Sequence, residues 1–139
     1  MIRSISYNSV RIFVGLVLVL TGLIHLQNIP GHFVTILNYR FISFETAQWL
    51  AMTLPALHLF LGLALTLREF TAIAATVASL IFLGYAIAQL IVFVSGFQIN
   101  CGCFGTSTLE SVGWNTIFRT TGFLIAFIFV AIMERGAKD

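Results

Sequence analysis

The chain has 139 residues, of which 59% are hydrophobic and only 9% charged, against roughly 45–50% and 25% in an ordinary soluble domain. Seven Lys and Arg with five Asp and Glu cannot cover a water-exposed globule of this size, which excludes a soluble enzyme and a disordered tail alike. A formal charge of +2 without any basic run excludes a nucleic-acid partner as well, and leaves a single domain over 1–139 whose first partner is the lipid bilayer.

Four apolar stretches each approach the ~20 residues that a helix needs to cross ~30 Å of hydrocarbon. Lipid offers backbone amides no partner, so spans are helices or closed barrels, and barrel-like alternation is absent. The sequence predicts an all-α integral membrane protein: a four-transmembrane-helix bundle with a short interfacial helix in the first outer loop. The first span runs from about Val10 to Leu26. Arg3 and Arg11 precede its apolar core as in a signal peptide, but no small-x-small cleavage site follows, so a retained helix is expected. His25 lies near the outer end, where an interfacial imidazole touching water is the simplest role.

After Pro30, the positions Phe33, Ile36, Leu37, Phe41 and Phe44 fall roughly on one helical stripe, which predicts the interfacial helix. Tyr39 and Trp49 are candidate headgroup anchors. The second span runs from about Gln48 to Leu67 and carries His58 ten residues in, close to mid-membrane. An ionisable group there is expensive and a candidate functional residue, for a quinone or proton contact, unless it simply hydrogen-bonds another helix. His25 and His58 differ in depth by roughly 10 Å, too far to share a haem iron. The third span runs from about Phe70 to Val94. Its Tyr85 and Gln89 are four apart, hence on one face, where they hydrogen-bond across the bundle or line a small polar cavity. The last span runs from about Asn115 to Met133, with Arg119 about one turn inside Trp114, turned to the headgroups or to the preceding loop.

Basic residues near helix ends set orientation. Arg3, Arg11, Arg68, Arg135 and Lys138 fall on one side and Arg40 on the other, beside Arg119. Both termini are then cytoplasmic, in a bacterial inner membrane, and the loops Gln27–Ala47 and Ser95–Trp114 face outward.

The outer loop before the last span holds the only two cysteines, in Asn100-Cys101-Gly102-Cys103-Phe104-Gly105. Cysteines separated by one residue bring their Cα atoms within about 7 Å, at the edge of disulfide range. Gly102 supplies the backbone freedom that so small a ring needs. A redox pair of this kind is strained and exchange-prone. Two idle apolar cysteines are the plainer alternative. A metal site is not expected, because two thiolates have no further ligands at a suitable local spacing.

The Cys-Gly-Cys-Phe-Gly segment after a third membrane helix resembles the methylamine-utilisation MauE family, within the wider DoxX-like group. Arg11-x-x-x-Gly15, Thr21-Gly22, Pro30 and Phe33 are similar to that family's opening, Leu54-Pro55-Ala56-Leu57-His58-Leu59-Phe60-Leu61-Gly62-Leu63 to its second helix, and Trp114 with Arg119 to its last. The resemblance implies a four-helix membrane bundle linked to disulfide formation in exported proteins, beside a thioredoxin-like partner. His25 stands where that family commonly has Lys, and His58 replaces its usual acidic residue.

The expected function is a redox-associated membrane protein that exchanges the Cys101–Cys103 disulfide with an extracytoplasmic thiol partner and passes electrons to a quinone. In it Cys101, Cys103 and Arg119 are candidate catalytic residues, the guanidinium favouring thiolate, and His58, Tyr85 and Gln89 are candidate cofactor contacts. The alternative is a non-enzymatic accessory subunit of a larger membrane complex, packed through Gly15, Gly22, Gly62 and Gly84. A small transporter is disfavoured by the lack of paired intramembrane charges.

Overall fold

A computed structural model describes residues 2–102 and 110–137. Cys103 and Lys138, and the side chain of Arg3, lie outside the described residues. Five helices follow in order: α1 (Ile2–Gln27), α2 (Ile29–Leu37), α3 (Phe44–Leu67), α4 (Thr71–Val94) and α5 (Trp114–Gly136). All but α2 are long and apolar enough to cross a membrane, and the chain is a multi-pass membrane protein. Exposed Leu, Ile and Phe side chains cover its outside, from Phe13 on α1 to Ile132 on α5, as lipid contact requires.

The helices extend beyond the apolar spans at several ends. α1 starts eight residues before Val10 and α5 ends three after Met133, because hydropathy marks where lipid begins and not where backbone hydrogen bonding stops. α3 starts four residues before Gln48, where Ser43 caps it by accepting from the amide of Thr46 (3.3 Å). Two backbone angles in the left-handed region, at Arg68 and Phe70, tighten the turn from α3 to α4.

α1 packs mainly on α3 and α4 on α5, while α3–α4 and α1–α5 contacts close the ring, so every neighbouring pair is antiparallel. Lipid gives helices no hydrophobic reason to associate, and close backbone approach replaces it. A Cβ on Gly22 would stand 2.8 Å from both the Leu59 amide nitrogen and the Pro55 carbonyl oxygen, and one on Gly62 would stand 2.7 Å from the Gly15 carbonyl. Gly84 differs from the expectation: a Cβ there meets nothing within 4 Å.

The core fills the half of the bundle that carries the two termini, where Val14, Leu18, Leu65, Ala75, Ala78, Phe127 and Val130 are fully buried. At that end Arg11 donates to the carbonyls of Leu65 and Thr66 (3.2 Å to the latter), capping the last turn of α3 where the helix dipole is negative. Tyr7 donates to Glu134, tying α1 to α5.

The nine-residue α2 folds back against α3. Of the expected apolar stripe, Ile36 is buried and Phe33 meets Phe44 edge-on at 5.2 Å, whereas Phe41 and Phe44 are largely exposed. The stripe breaks because the chain turns after Leu37. Tyr39 also departs from its expected headgroup role. It is buried and donates to the Cys101 carbonyl (3.1 Å), while Trp49 stays 70% exposed.

Candidate functional site

The end of the bundle opposite the termini is assembled around Cys101. Ile99–Cys101 and Glu110–Val112 run antiparallel: the Cys101 amide donates to the Glu110 carbonyl (3.0 Å) and the Val112 amide to the Ile99 carbonyl (2.8 Å). This stem sets Cys101 among Tyr39, Val92 and Val112, with 5% of the residue exposed. Gly102 has φ +65, and a Cβ there would collide with Thr35 Cγ2 at 2.1 Å. Glycine is thus required twice, by its backbone angle and by the approach of α2.

Two helical turns of α4 supply the polar contacts. Gln89, fully buried, donates from Nε2 to the Cys101 sulfur (3.1 Å). Tyr85, one turn away on the same face, hydrogen-bonds His58 Nε2 on α3 (3.3 Å), and Phe82 meets the His58 ring edge-on. The structure therefore brings Cys101, Gln89, Tyr85 and His58 into one contiguous set. Arg119 stands to the side. Its guanidinium pairs with Glu110 (2.9 Å), so it turns to the cysteine loop and meets a carboxylate there, which offsets its charge.

A cavity of about 360 Å³ lies between α2, α3 and α4. That is within the ~300–1,000 Å³ of ordinary small-molecule sites. Leu50, Leu54, Leu80, Ile81 and Ala88 make most of its wall apolar, and Cys101, Tyr85 and Tyr39 border it. Of the two roles open to Tyr85 and Gln89, the structure shows the hydrogen bonds, to His58 and Cys101, and the cavity beside Tyr85 is apolar. Gly84 and Leu80 line it and are also exposed on the outside of α4, which opens the cavity toward lipid.

His25, expected to touch water, is buried: its ring stacks on His32 with centroids 3.9 Å apart. Both line the cavity. His32 is the site residue that sequence reasoning passed over. A signal existed, since His32, Thr35 and Tyr39 recur at i, i+3 and i+7 as a polar stripe beside the apolar one. Burial, then the neighbouring His25 and His58, push the His32 imidazole down to about 3, so it is neutral at ordinary pH. Burial pushes the Tyr39 hydroxyl up to about 12, keeping it a donor to Cys101.

Over 112 residues the chain is 27% identical to a protein of Paracoccus denitrificans described as methylamine utilization protein MauE, a stretch covering 80% of this chain and 60% of that relative. The chain thus spans less than two thirds of the relative's length. No solved structure matches it. The profile of the family described as methylamine utilisation protein MauE matches residues 3–133, and so nearly the whole chain, from the first turn of α1 to the last of α5, belongs to the MauE family.

Proposed function

We propose that this chain is a membrane redox protein serving methylamine utilisation, in which the Cys101–Cys103 pair exchanges its disulfide with an extracytoplasmic, thioredoxin-like thiol protein. In the first step a partner dithiol is oxidised to its disulfide and the Cys101–Cys103 bond is reduced to two thiols. In the second the two thiols close again, passing two electrons and two protons to a quinone, which leaves as the hydroquinone. Both termini lie in the cytoplasm of a bacterial inner membrane.

The observation that carries this reading is the position of Cys101: its sulfur accepts from a buried Gln89 and it borders an apolar cavity open toward lipid. An amide that donates to sulfur stabilises thiolate over thiol, and the thiolate is the species that exchanges. Tyr85 and His58 supply a hydrogen-bonded pair one turn deeper. Arg119, screened by Glu110, adds a smaller electrostatic contribution.

Acid-quenched cells, denatured and treated with a heavy maleimide, test the exchange. Two adducts are expected only after reduction, and two adducts without reduction would favour the accessory-subunit reading. Orientation is checked with the impermeant reagent on intact cells, in a Cys101→Ser, Cys103→Ser background. Gln98→Cys should label and Glu69→Cys should not; the reverse pattern would overturn the assignment.

A further inference from the structure

We propose that the cavity between α2, α3 and α4 holds the ring of a lipid-soluble quinone, and that His32 is the residue that hydrogen-bonds its carbonyl oxygen; this rests on the quinone step of the function proposed above. The assignment comes from elimination on the cavity wall. Thr35 gives its hydroxyl to the Gly31 carbonyl (3.0 Å), Tyr39 gives its own to Cys101, and Tyr85 is engaged with His58. Among the described lining residues, His32 is the one whose polar side-chain atoms all lack a hydrogen-bond partner: it is 5% exposed and both ring nitrogens are unpaired, whereas at His25 only Nδ1 is.

A buried polar side chain without a partner is costly, and packing alone would be served better by Phe or Leu. A ligand that brings a polar atom to an otherwise apolar pocket removes that cost. Stacking on His25 leaves only the ring edge of His32 for such a contact. A metal does not suit it: stacked imidazoles do not converge their lone pairs, and no metal-holding group of three His, Cys, Asp or Glu exists among the described residues.

A flat ring with a carbonyl does suit it. The neutral imidazole has one N–H donor and one acceptor nitrogen. The donor serves the quinone carbonyl and the acceptor serves the hydroquinone hydroxyl, so one residue holds both redox forms. Leu80 and Gly84, exposed on α4 and lining the cavity, give a molecule dissolved in the bilayer its way in. Cys101 on the same wall puts the ring beside the sulfur that reduces it.

The test uses the purified full chain in nanodiscs with a short-chain ubiquinone analogue, read by titration and by the infrared carbonyl stretch. The parent should bind saturably with its carbonyl band shifted down. His32→Phe, which keeps the stack on His25, should weaken binding about tenfold, the scale of one hydrogen bond, and return the band to the free frequency. His32→Gln, a donor again, should recover part of both. No saturable binding by the parent, or equal affinity and band position in parent and His32→Phe, would overturn the site. Binding that depends on His32 in a protein whose reduced cysteines leave the quinone oxidised would uphold the site and overturn the exchange reading. Quinone reduction indifferent to His32→Phe would do the reverse.

Discussion

The two ends of this bundle solve opposite problems with similar residues. At the end with the termini, polar groups close on one another: Arg11 covers the carbonyls of Leu65 and Thr66, Tyr7 reaches Glu134, and small alanines let α4 sit close to its neighbours. At the other end α2 roofs a space that α3 and α4 leave open, and His25 and His32 stack on its wall. Unpaired polar groups are expensive in a membrane. Among the described residues, the end with the termini leaves single atoms without a partner, Arg11 Nε and Thr71 Oγ1, whereas His32 on the cavity wall has none on either ring nitrogen, so a whole side chain goes unpaired there.

The sharpest way to break the comparison is a pair of glycines. Gly62→Leu forces a side chain into the α1 backbone and should cost about 3 kcal/mol in unfolding experiments in mixed micelles. Gly84→Leu should cost nothing, and gain up to about 1 kcal/mol of helix propensity, while filling the cavity from its open side. Comparable losses in the two variants would mean that the cysteine end is as tightly packed as the other.

Acid should find the same asymmetry with a smaller effect. His32 stays neutral down to about pH 3 in the folded chain, while an unfolded imidazole takes its proton near 6.5. Between these values the unfolded state binds more protons, so stability is complete above 6.5 and falls as pH drops toward 3. His32→Phe should flatten this part of the curve of unfolding temperature against pH. Parallel curves for parent and variant would assign the acid sensitivity to other groups.

The smallest effect is expected at Arg119. Its partial exposure and its pairing with Glu110 leave little net charge to act on the cysteines. Arg119→Leu should raise the pH at which a reduced cysteine reacts with iodoacetamide by less than about one unit. An unchanged profile would reduce Arg119 to a fastening between α5 and the loop.

Much of this was legible in the sequence, for physical reasons that differ by residue. The four long helices follow from hydropathy, because lipid admits no other spanning backbone. Tyr85 and Gln89 share a face by spacing alone, and the structure gives both of them partners. The return of α2 was not legible. Apolar spacing predicts a helix after Pro30, but where that helix folds depends on contacts with α3 and on a glycine 71 positions after Gly31 in the chain, Gly102, which admits Thr35. Tyr39 and His32 were misplaced or missed for that reason. Their roles are tertiary.

Gly102 against Thr35, with Tyr39 on the neighbouring carbonyl, has a kinetic consequence. The Cys101 sulfur is walled by a lipid-side cavity on one flank and by α2 on the other, so a small dissolved thiol reaches it only when the loop lifts from α2. Its rate of exchange with such thiols is then scaled down by the fraction of time that the loop is open. In the proposed exchange, a protein partner that binds the loop and holds it open would escape this limit, and the couple would be insulated from the thiol pool around it while open to one visitor.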